Sequence, residues 1–420
     1  MTSRPYLKPN QQHTATSSTK AVSRVDVAVV GAGIIGLGIA WSLVRTGRSV
    51  CVIDPAPAMG ATRAAAGMLA PVSEYHYQEE ELLALTLRSA LLYPEFVRTL
   101  AELGRETGYL TTETLLVGVD AGDRQALRDL YDKQLSQGLP VFPLTIRALR
   151  TQEPLLSPRL SAGYRVADDR QVDPRVLSAS LLDALADPVA HAGKASFERR
   201  TAKGLLHERP NDPSSRVVGI QFDDGDTLPA DEVIVANGTA AGDLHGLPPG
   251  LSLPLRPVFG DIIRIRVPEN LRPLLNATVR ATVHDNPVYI VPRSDGTAVI
   301  GATQRETGTA SASARGIFEL LRDAQEVLPA VAEADIAEVM ARARPGTPDN
   351  KPLLGRVHHP DGSHIEGLII ATGFFRHGVL LTPVAADICQ RLVDGIDDTQ
   401  WTPFRPDRFR PSSASVKEHP

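Results

Sequence analysis

The N-terminal part of the chain contains a long run of apolar positions. No charged side chain occurs over residues 27–44, a run of 18 residues that is long enough to suggest a transmembrane helix. Gly31 and Gly33 divide it into a β-rich run at 27–30 and a helix-compatible run at 34–45. A buried strand followed by a buried helix explains the apolar character equally well.

The residues that follow favour the strand and the helix. The loop between them reads Gly31-Ala32-Gly33-Ile34-Ile35-Gly36, and a second β-rich run, 49–53, ends at Asp54. In dinucleotide-binding folds such glycines permit a tight turn, close approach to a diphosphate and close helix packing, and the acid reaches a ribose hydroxyl. The pattern predicts a βαβ unit that binds FAD or NAD. A glycine-rich turn without a ligand is the alternative.

Further along, helical and extended periods alternate. Helices are predicted over residues 80–107, 122–137, 174–186 behind an Asp173 N-cap, 317–328 and about 380–392. Strands are predicted over 217–222, 232–236 and 367–373, and the alternation within 256–301 is typical of an antiparallel sheet.

Composition narrows the class of protein. Hydrophobic residues make up 42% and charged residues 22% of the 420 residues, which excludes wholesale disorder and collagen-like or coiled-coil architecture. The net charge of −5 implies no general attraction to nucleic acid or to an anionic membrane. Cys51 and Cys389 have no metal-ligand spacing, and so few cysteines are typical of a reducing cytoplasm. His358, His359 and His364 flank a Pro-Asp-Gly turn, which favours a surface hairpin over a metal site.

Four blocks of sequence carry a resemblance to a known family. They are the glycine loop with the run Ala64-Ala65-Ala66-Gly67-Met68-Leu69, then 288–293 continuing to 301–303, then 344–352, then 373–378. Together they resemble the D-amino-acid oxidase superfamily of FAD enzymes, and within it the glycine oxidase branch of the thiamine pathway. The resemblance extends over most of residues 24–400.

The resemblance implies an α/β fold with an α+β second domain. A Rossmann-type FAD-binding domain, expected at 24–75, 163–245 and 341–400, would be interleaved with a substrate domain at 76–162 and 246–340 that is built on an antiparallel sheet. Residues 1–23 are polar and predict a disordered tail, and residues 401–420 predict a C-terminal surface tail.

The cofactor implied is FAD, held non-covalently, because relatives that attach flavin through a cysteine carry it near the Thr-Pro-Asp turn and residues 340–346 contain none. The residues expected to contact it lie in the glycine loop, after the second strand, in the alanine-rich run and in the last glycine loop. They are Gly31, Ala32, Gly33, Ile34, Ile35, Gly36, Asp54, Pro55, Ala61, Thr62, Ala66, Gly67, Met68, Gly373, Phe374, Phe375, Arg376, His377, Gly378, Val379 and Leu380.

Four residues are candidates for binding a substrate. An arginine at position 344 can grip a carboxylate through two parallel hydrogen bonds, and the resemblance assigns it that role over its neighbour Arg342. Tyr289 lies in an alternating strand, from which an inward ring can cover a substrate. Gln304 matches a pocket position of the family, and Arg376 lies in the last glycine loop. A structural ion pair for Arg344 and a core aromatic for Tyr289 are the alternatives.

The activity implied is oxidative deamination of glycine, small amines or D-amino acids, with oxygen as acceptor and hydrogen peroxide as product. No side-chain base is required, because orientation and the flavin supply the chemistry. Other readings are a dehydrogenase of the same fold with a different acceptor, and an NAD-binding dehydrogenase or sensor. The partners expected are a small amine and oxygen, without nucleic acid, membrane or metal, and a homo-oligomer is compatible with the sequence.

Overall fold

A computed structural model describes residues 23–359 and 361–410. Most of the predicted N-terminal tail, residues 1–22, and the end of the C-terminal tail, residues 411–420, lie outside the described residues. The helices are α1 Ile34–Arg45, α2 Ala61–Ala64, α3 Glu80–Ala101, α4 Ala121–Ser136, α5 Ile146–Gln152, α6 Pro174–Ala186, α7 Ala314–Val327 and α8 Thr382–Val393.

The strands form two large sheets and one short pair. They are β1 Val25–Val30, β2 Ser49–Ile53, β3 Met68–Leu69, β4 Thr114–Gly118, β5 Val141–Pro143, β6 Ala162–Val166, β7 Arg170–Gln171, β8 Lys194–Glu198, β9 Ala202–His207, β10 Val217–Phe222, β11 Thr227–Val235, β12 Arg256–Arg266, β13 Thr278–Val283, β14 Asn286–Pro292, β15 Thr297–Gly301, β16 Asp335–Gly346, β17 Leu353–His358 and β18 His364–Thr372.

The first sheet is built around parallel pairings of β1 and β2. Its order is β17-β18-β11-β1-β2-β8, and β1 is paired in parallel with both β11 and β2. Val27 and Val29 face a core shared with α1, α3, α6 and α8, whereas Ala28 and Val30 face a second core on the other side. Burial on both faces explains why β1 is a continuous apolar run rather than an alternating one.

Helix α1 is apolar all round because it is enclosed on every side. It packs against β1, α6 and α8, and ten of its twelve residues are buried. Together β1 and α1 account for the apolar run that imitates a membrane span. Among the described residues, no helix has both the length and the hydropathy needed to cross a bilayer.

The second sheet carries the other half of the site. Its order is β16-β12-β15-β14-β13-β4-β6-β5, and its pairings are antiparallel except for β13 with β4. One face packs against α7. On the opposite face Ile262, Val291 and Val299 pack against Ala64 and Ala66 of the alanine-rich run. The two sheets therefore meet at the run that the sequence singled out.

The predicted fold class is confirmed: a sheet with a parallel centre adjoins a mainly antiparallel one. The bounds predicted for α1, α6 and β10 are those observed, and Asp173 caps α6 by accepting from the backbone N–H groups of Arg175 and Val176. The interleaved domain ranges stay a prediction, and β6, at the boundary placed at 163, pairs within the second sheet.

The prediction of a surface tail from residue 401 is wrong for residues 401–410. Short 3₁₀ turns at Thr399–Phe404 and Pro406–Phe409 pack on the protein, with Phe404 in the main core. Arg408 forms two hydrogen bonds of 2.9 and 3.0 Å to the Asp349 carboxylate. The proline and charge content that suggested a tail reflects turns and a bidentate ion pair, which supports the turn after β16.

Close packing of α1 on the glycine loop yields a stability prediction. An added Cβ at Gly36 would lie 1.9 Å from the backbone oxygen of Gly31. Gly36→Ala is therefore expected to lower the free energy of unfolding by about 1–3 kcal/mol, the usual cost of overpacking. Urea denaturation measures the change. Gly242→Ala is the matched control, since its Cβ would meet nothing nearer than 3.5 Å. Equal unfolding midpoints for both variants would contradict this packing.

Candidate active site

A cavity lies between the two sheets, at the carboxyl ends of β1, β2 and β11. Its lining comes from the glycine loop, the segment after β2, the alanine-rich run, the loop before α8 and, from the second sheet, β12, β14 and β16. Of the predicted cofactor residues, those that line it are Gly31, Gly33, Ile34, Ile35, Asp54, Ala61, Thr62, Ala66, Gly67, Met68, Phe374, Phe375, Arg376, Gly378 and Val379. Three of the four predicted substrate residues, Arg344, Tyr289 and Arg376, line the same cavity.

The glycine loop lines one end of the cavity, which is called the nucleotide end because the glycine pattern predicts a nucleotide there. Gly31 has φ +104°, and a Cβ there would lie 2.6 Å from the Ala236 carbonyl oxygen, so the turn requires glycine. The Asp54 carboxylate accepts from the Ala32 backbone N–H at 2.7 Å, and the Thr62 hydroxyl accepts from that of Ile34 at 2.9 Å. These bonds join the loop, the end of β2 and the first turn of α1 into one unit.

Arginines behind the alanine-rich run hold its backbone in place. Arg293 donates to the backbone carbonyls of Ala66 and of Val172, and Arg175 donates to that of Arg63 at 3.0 Å. Burial lowers the pKa of Arg293 to about 10, which leaves it charged at neutral pH. Gly67 completes the run with φ +74°. The backbone of the run, which lines the cavity, is thus fixed by charge-assisted hydrogen bonds.

The loop before α8 forms another wall. Arg376 lines the cavity but forms an ion pair with Glu79. His377 is buried, and its Nδ1 lies 3.5 Å from the Glu74 carboxylate. Burial, together with the charge of Arg376, holds the pKa of His377 well below its ordinary value, so the ring is neutral. Arg376 therefore enters the site with its charge already compensated.

Arg344 is a cation of the cavity lining that has no acid partner among the described residues. Among the described residues no carboxylate lies within 4.0 Å of its guanidinium, and its one side-chain hydrogen bond runs to the Thr303 carbonyl at 3.4 Å. The guanidinium lies over Gly260, where an added Cβ would be 2.2 Å from Nη1. A glycine in the middle of β12 thus makes room for the arginine.

Tyr289 lies beside Arg344. Its ring crosses the facing Gly301, where a Cβ would lie 2.3 Å from the hydroxyl oxygen. Burial raises the pKa of Tyr289 above its ordinary value, and the charge of Arg344 opposes that rise. The hydroxyl stays protonated at neutral pH and is available as a donor. A planar cation on β16 and a neutral donor on β14, which line the same cavity, suit a small carboxylate.

One predicted substrate residue is placed elsewhere. Gln304 is exposed and lies outside the cavity lining. The Thr303 hydroxyl and the Arg305 guanidinium both donate to buried Asp261, at 2.7 and 2.8 Å. Because side chains alternate along an extended chain, Gln304 points away from them. Gln304 therefore does not reach the cavity with Arg344 and Tyr289, and its contact with a substrate stays a prediction.

Several predicted cofactor residues lie behind the lining rather than in it. Gly36 and Ala32 support the loop, and Gly373 adopts φ +73° with Thr347 packed against it. The predicted residues outside the lining are Ala32, Gly36, Pro55, Gly373, His377 and Leu380. Their contribution is to position the residues that do line the cavity.

Other residues of the cavity lining were not predicted from the sequence. Glu74 is buried in the lining and accepts from Arg280 Nη1 at 2.5 Å. Asn237, Gly238 and Thr239 follow β11 and complete the wall beside Gly31. Their position directly after a parallel strand could have indicated a ligand site. Likewise, a glycine at 260 within an alternating strand could have indicated that another group approaches the backbone closely there. Glu74 gave no such signal, because its partner Arg280 is remote in sequence.

The comparison with protein families agrees with this geometry. The family described as FAD dependent oxidoreductase, DAO, matches residues 26–392. The chain belongs to this family of FAD-dependent oxidoreductases. Membership decides the choice between FAD and NAD in favour of FAD.

Individual relatives show which members of this family the chain resembles. The chain is 32% identical to the glycine oxidase of Geobacillus kaustophilus, over 88% of this chain and 93% of that protein. The crystal structure of that enzyme superposes with a TM-score of 0.80 and covers 92% of this chain and 99% of that one, at 31% identity. The bifunctional protein ThiO/ThiG of Trichormus variabilis is 32% identical over 93% of this chain, which spans only 56% of that relative.

The residues present fit the cofactor that the family requires. A glycine turn where a Cβ would strike backbone, the start of α1 at the cavity and an acid after β2 form a cradle for a dinucleotide diphosphate and ribose. Neither Cys51 nor Cys389 lines the cavity, and both are buried. This placement supports non-covalent binding.

The contact between Gly260 and Arg344 can be tested directly. Gly260→Ala would place a methyl group within the space of the guanidinium, and we expect the affinity for acetate to fall by roughly 10-fold or more. Titration of the flavin absorption spectrum with acetate measures this affinity. Gly242→Ala should titrate like the unaltered protein. An unchanged acetate affinity in Gly260→Ala would show that Arg344 does not bind the carboxylate.

Proposed function

We propose that the protein oxidises glycine, and similarly small amines or D-amino acids, to the imine. Water then hydrolyses the imine to the 2-oxo acid and ammonia, and oxygen is reduced to hydrogen peroxide. The observation that carries this proposal is the guanidinium of Arg344, which faces the cofactor cavity without a carboxylate partner among the described residues. The names of the glycine oxidase and ThiO/ThiG relatives support the same reaction.

The chain's residues supply binding and orientation. Arg344 would hold the substrate carboxylate through two parallel hydrogen bonds, which fixes both position and angle. Tyr289, a protonated donor beside it, would contact the carboxylate or the amine. Bound FAD supplies the redox chemistry, acceptance of a hydride from the Cα–H bond and transfer of the electrons to oxygen.

Charge balance explains why Arg344 rather than Arg376 is the anchor. Arg376 is paired with Glu79, and Arg280 with Glu74, so neither presents an uncompensated charge. Aromatic rings of Tyr289, Phe259 and Phe375 line the same cavity and favour a small, flat substrate. The buried Glu74 carboxylate is engaged by Arg280, so proton abstraction by a side chain is not part of the proposal.

The resemblance to thiamine-pathway oxidases suggests the setting of the reaction. We infer that the product of glycine oxidation serves thiamine thiazole biosynthesis. Growth of a glycine-oxidase-deficient thiamine auxotroph expressing this chain tests that role separately from the chemistry.

Substitution of Arg344 should separate substrate binding from cofactor binding. In Arg344→Met the KM for glycine should rise by roughly 10²-fold, because two charge-assisted hydrogen bonds are lost, while flavin content stays unchanged. Peroxide release under air, with glycine, sarcosine and D-alanine, measures the activity. Arg266→Met is the control, since Arg266 is an exposed arginine on β12 outside the cavity.

The outcomes are distinct. An unaltered KM in Arg344→Met would refute the assignment of the anchor. Flavin reduction by glycine without peroxide, together with turnover of an artificial electron acceptor, would show a dehydrogenase rather than an oxidase. Failure of all three amines to reduce the flavin would refute the substrate class.

A further inference from the structure

A second arginine of β16 enters the same cavity. Arg342 lies two residues before Arg344 and, in an extended strand, on the same face of it. Its Nε donates to the Met59 carbonyl at 3.0 Å, and its Nη1 donates to the Ala341 carbonyl at 2.8 Å. Within residues 23–359 and 361–410 no carboxylate lies within ion-pair distance of it. Among the described residues, the positively charged guanidinium of Arg342 is therefore hydrogen-bonded only to uncharged carbonyl oxygens.

The contact with Met59 places Arg342 at the nucleotide end of the cavity. The adjacent Ala58 donates its backbone N–H to the Ala32 carbonyl at 2.9 Å. Three residues after Met59, the Thr62 hydroxyl accepts from the Ile34 N–H at the first turn of α1. Residues 58–62, which Arg342 contacts through Met59, are therefore hydrogen-bonded to the glycine loop. There the backbone N–H groups and the dipole of α1 favour an anion.

The acids of the site do not neutralise Arg342. The Asp54 carboxylate accepts from the backbone N–H groups of Ala32 and Ala56, both at 2.7 Å. Glu74 and Glu79 are paired with Arg280 and Arg376. An anion that enters with a ligand remains the natural partner, and a diphosphate is the anion for which the glycine loop is shaped.

We propose that Arg342 binds the diphosphate of FAD at the end of the cavity that the glycine loop lines. Strand β16 then carries a cofactor anchor at 342 and a substrate anchor at 344, so binding of FAD positions the edge of the second sheet. The inference rests on the family's FAD and on the geometry of Arg342. It does not depend on which amine is the substrate.

The test measures FAD affinity without any substrate. Holoenzyme is diluted in series, and the fluorescence of released flavin gives the dissociation constant at low and at high salt. Arg342→Gln should raise this constant roughly 10- to 100-fold, because a charge-assisted contact is lost, and should weaken its salt dependence. Arg342→Lys, which keeps the charge, should fall between, and Arg266→Gln should match the unaltered protein.

Unchanged FAD affinity in Arg342→Gln would overturn the proposal. So would a variant that keeps FAD affinity and raises KM only for a dicarboxylic amine such as iminodiacetate, since Arg342 would then bind a second substrate carboxylate. If Arg342→Gln folds poorly, the salt dependence of Arg342→Lys decides: retention of the slope supports the diphosphate contact, and loss of affinity equal to that of an uncharged residue contradicts it.

Discussion

The site depends on a guanidinium that enters the cavity without an acid partner among the described residues. Removing a charged group from water costs free energy unless an opposite charge pairs with it. Because Arg344 lacks such a partner, the site favours an anionic ligand over a neutral one. Gly260 is the condition for this arrangement, because any side chain at that position would occupy the space of Arg344. Every other arginine discussed around the cavity, apart from Arg342, is engaged by a carboxylate or by buried backbone carbonyls.

The surrounding structure keeps this charge in place. The turn after β16 is held by Arg408 on Asp349, and Thr347 of that turn packs on Gly373 at the start of the loop before α8. On the other side Arg293 and Arg175 fix the alanine-rich run. Arg175, Arg293 and Arg408, from distant parts of the chain, thus hold the alanine-rich run and the turn after β16 on two sides of the cavity. Such rigid support is what orientation-based catalysis requires.

Features that depend on neighbouring residues could be predicted from the sequence, whereas features set by contacts between remote residues could not. The glycine loop, α1 and α6 could be placed because each carries a local signal: a left-handed glycine, an apolar run or an Asp-Pro cap. Among the strands that were not predicted, β8 and β16 lie at sheet edges with many exposed or half-buried positions and so lack clear alternation. Glu74 and the direction of Gln304 are set by partners remote in sequence or by Asp261 on another strand, which a pattern along the chain does not reveal.

The most direct measurement is a crystal structure of the FAD-bound protein soaked with glycolate, which has a carboxylate but no amine. We predict that the glycolate carboxylate lies on Arg344 at about 3 Å, with its other end directed toward the flavin ring. Glycolate bound away from Arg344, or an isoalloxazine ring distant from that guanidinium, would contradict it.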